Sequence, residues 1–312
     1  MQSDPNITGF LIFDYKVNDE EMLEPFVYYS YYTIEQPPNF ILNQAGLFIT
    51  FVSFCKMFNK SQLCDYIRTQ QQETALYELD SNVWMSITRE LDNPIKIPLL
   101  AILKEYKNIF NLFFPPLKRD ETTKLLDSSS KESIKRGFDL IIQSDFDSHF
   151  LDILLYNSYY WLELAKEMVA FEFEKTINFI LTVPLSPIQY LAIEYMEKLL
   201  YNNFPNDVIN TLLICLKCKL KNLLFVSQPP GTDAIYYEIG MNIKANEMVI
   251  NSPKLYINNH IYHLVIIRIQ SFRLIVTLKE GIDPTEEFLN SLPQLLIPIY
   301  QFLASMKMKD PI

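Results

Sequence analysis

Between Ile41 and Phe58 the chain reads ILNQAGLFITFVSFCKMF, and its apolar positions fall into two stripes when laid out at about 100° per residue. Leu47, Phe51, Phe54 and Phe58 make one bulky stripe. Ile41, Ala45, Phe48, Val52 and Cys55 make a second, spaced like a helix–helix seam. Pro37-Pro38 fixes an extended approach, Asn39 can cap the helix start, and Asn59-Lys60-Ser61 stops it. A helix lying on a sheet needs one apolar stripe, so the second implies burial deep in a large domain or contact with another polypeptide.

The flanking segments alternate as strands do. Gly9–Val17 and Pro25–Thr33 are predicted to pair as a hairpin across the acidic turn that contains Asp19-Glu20-Glu21. After the helix, Leu63–Thr69, Thr74–Leu79 and Val83–Leu91 are predicted strands, separated at Gln70-Gln71-Gln72 and Asp80-Ser81-Asn82. Pro98–Phe114 repeats apolar residues at helical spacing and stops at Pro115-Pro116; Leu117–Ser130 is a polar, mobile connection, and Lys131–Gln143 is helical. The order β-β-α-β-β-β-α-α folds as an antiparallel sheet of about five strands, with the first helix alone on one face and two helices on the other. A helix alone on its face leaves its outer side in water. On this reading Leu47, Phe51, Phe54 and Phe58 face the sheet, and the seam of Ile41, Ala45, Phe48, Val52 and Cys55 meets a partner. Trp84, between Val83 and Met85 on a central strand, is a core residue or, alternatively, an interface anchor.

Residues 146–176 are rich in aromatics at helical spacing and form a helical connection between a first domain, 1–145, and a second, 177–312. In the second, Ile177–Pro184 is predicted as a strand, Pro187–Tyr201 and Val208–Leu220 as helices, and Leu223–Gln228, Glu247–Ile250, Tyr262–Gln270 and Phe272–Lys279 as strands. Asp283-Pro284-Thr285-Glu286-Glu287 opens a closing helix that runs to about Lys307. The class is α/β, with two domains of similar plan.

Composition narrows the chemistry. Hydrophobic residues make up 49% of the chain and aromatics 14%, enough for two real cores. Only 6 glycines are present, too few for glycine-rich phosphate loops or a Rossmann fingerprint. A formal charge of -10 repels a phosphate backbone, so nucleic acid is not an expected partner. The start MQSDPNITGF has neither a basic n-region nor an apolar h-region, and nowhere do 18 uncharged apolar residues run together, which predicts a cytoplasmic protein. Cys55 and Cys64 lie in apolar contexts, Cys215-Leu-Lys-Cys218 lacks the companions of a zinc or redox site, and His149, His260 and His263 are scattered. No metal, no cofactor and no catalytic residue is expected. There is no nucleophile elbow, P-loop or paired-histidine zinc motif, and the acidic pairs sit at a turn and a helix start, so the chain is not expected to be an enzyme.

Phe10–Tyr15 (FLIFDY), Phe26–Tyr31 (FVYYSY), the helix from Gly46-Leu47 to Phe58, and Asn82-Val83-Trp84-Met85 followed by Arg89 and Asn93-Pro94 resemble the first longin domain of the Ccz family. Inturned and a Hermansky-Pudlak subunit are relatives of that family. Leu223–Gln228, Tyr262–Lys279 and the helix from Asp283 resemble its second longin domain in order and spacing. The resemblance implies two longin folds and a heterodimer with a Mon-like longin protein. It also implies that the pair activates a late-endosomal or vacuolar Rab GTPase as a nucleotide-exchange factor, peripheral on endosomal, vacuolar or lysosomal membranes through the complex. A subunit of a lysosome-related-organelle or ciliogenesis complex, or a structural adaptor without exchange activity, are the alternatives. Family members usually continue into a third longin domain, and this sequence is expected to hold only the first two. One strand, Ile177–Pro184, stands where the second longin hairpin needs two.

Overall fold

The structure is a computed structural model of the chain. It describes residues 7–17, 23–58, 64–91, 98–145, 175–182 except 176 and 179, 186–195, 198–217, 235–244, 247–269 and 272–305. The chain divides into two compact units, with the boundary near residue 157. The predicted helical connection at 146–176 and the predicted strand at Leu223–Gln228 lie outside the described residues, apart from the helical Lys175.

In the first unit β1 (Ile7–Val17) and β2 (Leu23–Tyr32) form the predicted hairpin, α1 (Pro38–Phe58) crosses over, and β3 (Tyr66–Arg68), β4 (Gln72–Asp80) and β5 (Val83–Glu90) follow. Then come α2 (Leu99–Phe113) and α3 (Ser128–Asp145). The strands make a 5-stranded antiparallel sheet in the order β2-β1-β5-β4-β3. Side chains alternate across the pleat, so neighbouring positions on β1 feed two different cores. Phe10 stacks on Phe138 of α3 at 5.4 Å and meets Tyr106 of α2 edge-on at 5.8 Å. Leu11 and Phe13 point the other way and pack with Leu76, Trp84 and α1.

The connection after α2 is built rather than loose, which corrects the expectation of a mobile segment. Arg119 bridges to Leu126 across a turn in which the Asp120 carboxylate accepts from the Thr122 and Thr123 amides. Arg119 also reaches across to the sheet, donating to Asp14 at 2.8 Å. Asp127 caps α3 by accepting from the Ser130 amide at 2.7 Å.

The second unit departs from its predicted elements at its start. Residues 177–178 and 180–182 are helical, not a strand: Ile177 and Ile180, one turn apart, are both buried in the second core. The predicted helix from Pro187 to Tyr201 is instead a hairpin, β6 (Ile188–Tyr195) and β7 (Lys198–Asn202). Leu191, Ile193 and Tyr195 alternate into the core while β6 pairs along β12, and that pairing overrides the helix-forming Met-Glu-Lys-Leu run. The hairpin that seemed to lack a strand is therefore complete, further along the chain.

α4 (Asn206–Lys217), β9 (Glu247–Asn251), the pair β11 (His260–Ile269) and β12 (Phe272–Leu278), and α5 (Glu286–Ser305) fall where the pattern placed them. β8 (Ile235–Lys244) and β10 (Lys254–Ile257) were not anticipated. Strand order is β7-β6-β12-β11-β8-β9, with β10 beside β11. Replacing β1 to β5 by β6, β7, β8, β11 and β12 turns the first order into β7-β6-β12-β11-β8, which the second sheet extends by β9 and β10. Both units thus share a plan of hairpin, helix and three further sheet strands before the closing helices, and the second adds β9 and β10 to it.

Candidate functional site

α1 is apolar almost all round, and the two sides have opposite fates. Ala45, Phe48, Ile49 and Val52 are 4% exposed or less and pack with Leu11, Phe13, Leu76 and Trp84, Phe48 against Phe13 at 5.9 Å between ring centroids. Ile41 is half-buried against the same cluster, and Cys55 is half-buried. The seam expected to meet a partner is therefore the core side of the helix. Leu47, Phe51, Phe54, Met57 and Phe58 are between 39% and 82% exposed, and the bulky stripe expected to face the sheet points to solvent.

Volume decides the exchange. The sheet under α1 already carries Phe13 and Trp84, so close packing is reached with smaller residues such as Ala45 and Val52 on the helix. Judging the helix alone, by where its bulk lies, puts the larger stripe inside. Judging helix and sheet together reverses it.

Trp84 belongs to this core and is not an interface anchor. It is buried, with the Lys56 ammonium 5.3 Å from its ring centroid, and its indole N–H has no hydrogen-bond partner among the described atoms. The Lys56 stem thereby covers the edge of the core while its charge stays near water.

On the outer side Phe54 and Phe58, one turn apart, pack their rings at 4.7 Å. Phe40 and Leu42, also exposed, extend the apolar surface toward the start of the helix. Neither was singled out from the sequence. The signal for them was present: Phe40, Gln44, Leu47, Phe51, Phe54 and Phe58 recur every three or four residues down one side. α1 is long and apolar enough by length and composition to cross a bilayer. Its buried side forms a core with a sheet, as the crossing helix of a folded domain does. α4, at the matching place in the second unit, is buried at every position from Thr211 to Leu216, whereas α1 carries exposed bulky residues.

Burial, with the Cys55 thiol beside it, pushes the Cys64 thiol up to about 11 and keeps it protonated. Among the described residues no three His, Cys, Asp or Glu side chains gather as metal ligands. What the surface can do is bury apolar area against another chain.

Residues 8–115 match the family model of the first longin domain of INTU, CCZ1 and HPS4. A vacuolar fusion protein CCZ1 homolog of Oryza sativa subsp. japonica is 23% identical over 144 residues, which is 45% of this chain and 28% of that protein. The chain thus spans under a third of that relative's length. The matched region holds β1 to β5, α1 and α2, and so the whole of the exposed α1 surface.

Proposed function

Residues 8–115 being a longin domain of the family that unites INTU, CCZ1 and HPS4, we propose that this chain is a subunit of a vesicle-trafficking complex of the Mon/Ccz type. In that complex it pairs with a second, Mon-like longin protein, and the pair acts as an exchange factor for a late-endosomal or vacuolar Rab GTPase. It works from the cytoplasmic side of endosomal and vacuolar membranes, held there through the complex. The observation that carries the reading is the bare outer side of α1, Leu47, Phe51, Phe54, Met57 and Phe58, on a domain of this family. The vacuolar-fusion name of the rice relative supports the trafficking route.

The mechanism asks little chemistry of the chain. Nucleotide exchange breaks no covalent bond. The factor binds the nucleotide-free switch conformation more tightly than the loaded one, and that difference in affinity drives release. A rigid platform held by two cores is suited to this, because its binding energy is not spent on ordering itself.

The test is purification of the tagged chain from its own cells, followed by release of a fluorescent nucleotide from Rab proteins by the recovered complex. A Mon-like longin partner and faster release from a late-endosomal Rab are expected. Phe51→Asp with Phe54→Asp should lose the partner while keeping the folded circular-dichroism signal. A different longin partner would move the chain to a lysosome-related-organelle or ciliogenesis complex. A partner without faster release would make it an adaptor, and retention of the partner by the double variant would remove α1 from the interface.

A further inference from the structure

We infer that a groove beneath the first turns of α1 receives an arginine side chain of the polypeptide that covers α1. The inference rests on the reading of α1's outer side as a docking surface. The face of the sheet under α1 changes character along its length. Leu76 and Trp84 lie beneath the middle and end of the helix, but the same pleat continues as Thr74 and Gln72 on β4 and as Thr88 and Glu90 on β5. Thr74 and Thr88 satisfy each other at 2.9 Å, and the Thr8 hydroxyl donates to the Thr88 carbonyl at 3.3 Å. A polar floor under a helix does not draw the helix down onto it. The result is an open groove of about 160 Å³ between the two.

Its size admits one side chain rather than a cofactor, whose sites begin at roughly 300 Å³. Gln36, Gln44 and Gln72 line it with amides that can turn an acceptor oxygen inward, Glu90 adds a carboxylate, and Tyr32 and Phe40 add two aromatic rings set edge to face at 6.0 Å. Tyr32 is held in place because it lies over Gly9, where a Cβ would come within 2.6 Å of the ring. Among the described residues Glu90 is the one charged side chain in the lining, and it forms no ion pair with any of them. The start of α1 adds a partial positive charge of about half a unit, smaller than the full charge of the carboxylate. The balance selects a cation. A guanidinium fits better than an ammonium, because its flat fork can stack on a ring while it donates to a carboxylate and amide oxygens together. Phe40 and Gln44 continue into Leu47, Phe51 and Phe54 along the same side of α1, so a chain lying on that side passes the groove's mouth.

The experiment titrates the full chain with Nα-acetyl-arginine N-methylamide, read by NMR at Ile34 and the side-chain amides of Gln36, Gln44 and Gln72. The citrulline analogue, of the same shape without the charge, and inorganic phosphate are run alongside. Saturable shifts at those residues are expected, with a roughly millimolar constant for a lone side chain. Glu90→Gln and the citrulline analogue should each weaken binding about threefold or more. Glu90 is exposed, so the variant keeps the fold. No saturable arginine binding, equal binding of citrulline, or tighter binding of phosphate would each overturn the inference. The titration needs no partner, so it can fail while the double α1 variant still loses its partner, and the reverse.

Discussion

Asp14 has no exposure to solvent, yet it sits in a strand whose neighbours Phe13 and Tyr15 belong to the apolar core. Its carboxylate accepts from the Tyr15 amide at 2.7 Å, from Arg119 at 2.8 Å and from the Tyr28 hydroxyl at 3.3 Å, while Tyr28 accepts from the Leu126 amide at 3.2 Å. Arg119 donates further to the carbonyls of Ser81 and Lys124. One buried charge thus pins the connection before α3 to the sheet. Burial is the largest influence on Asp14 and raises its pKa above 3.8, against the lowering effects of the Tyr15 amide, Arg119 and Tyr28. Arg119→Met removes the cation paired with Asp14 and should cost about 2–3 kcal/mol at pH 7, less than a fully buried pair because water reaches part of the arginine. The sign with pH follows from the raised value. The folded state holds the Asp14 proton more tightly than the unfolded chain, so the group's contribution is most favourable below 3.8 and declines as pH rises through its folded value. Losing Arg119 deepens that decline, so the penalty should be largest at neutral pH and shrink toward pH 4, read by urea midpoints across the range. None of this showed in the sequence. Asp14 and Arg119 are 105 residues apart, and a polar stretch that follows two prolines carries no mark of the strand it will meet.

At the scale of elements, α1 fixes what two opposed sets of substitutions should do. Were the seam of Ile41, Ala45, Phe48, Val52 and Cys55 a partner surface, Phe48→Asp with Val52→Asp would leave the domain folded and cost only binding. With both residues in the core, the Phe48 change alone forfeits about 3–5 kcal/mol of packing, and two buried carboxylates add to it. The sum rivals the 5–15 kcal/mol that holds a typical domain together, so this variant should lose its folded circular-dichroism signal. Existence and order of elements were legible in the first unit because each strand carries its own alternation and each helix its own period. The face of α1 was not, since two apolar stripes cancel the signal that separates inside from outside. α3 offers a second test. Gly137 faces α2, and a Cβ there would come within 2.9 Å of Phe110 and 3.0 Å of Phe114, whose rings stack at 5.1 Å. Gly137→Ala gains about 1 kcal/mol of helix propensity and loses about 1–3 kcal/mol to overpacking. Because Phe110 is also stacked on Phe138 at 5.1 Å, the ring has nowhere to turn, and a net loss of about 1 kcal/mol in denaturant is expected.

Across the whole molecule, the repeated strand order makes a claim about independence. Each unit has its own sheet, crossing helix and core, and the second adds a charged row across four strands: Glu194 on β6, Arg273 on β12, Arg268 on β11 and Glu238 on β8. Arg273 donates to Glu238 at 2.6 Å and to Glu194 at 2.8 Å, and Arg268 to Glu238 at 3.3 Å. Burial alone would lower the pKa of Arg273, but its bonds to Glu238 and the charges of Glu194 and Glu238 outweigh burial and hold it above its ordinary value. Arg273→Met leaves two nearly buried carboxylates, with Arg268 reaching only Glu238, and should cost about 3–5 kcal/mol. Hydrogen exchange can locate that loss. If the units are separate cooperative blocks, amides of β6, β8, β11 and β12 should lose protection while those of β1, β4 and β5 keep theirs. Equal loss in both sheets would mean that the chain unfolds as one block. The distinction bears on function, because α1 presents its outer side from the first sheet alone. A second unit that can be weakened without loosening α1 leaves the outer side of α1 as it is, so under the proposed pairing Arg273→Met should still capture the partner that Phe51→Asp with Phe54→Asp is expected to lose.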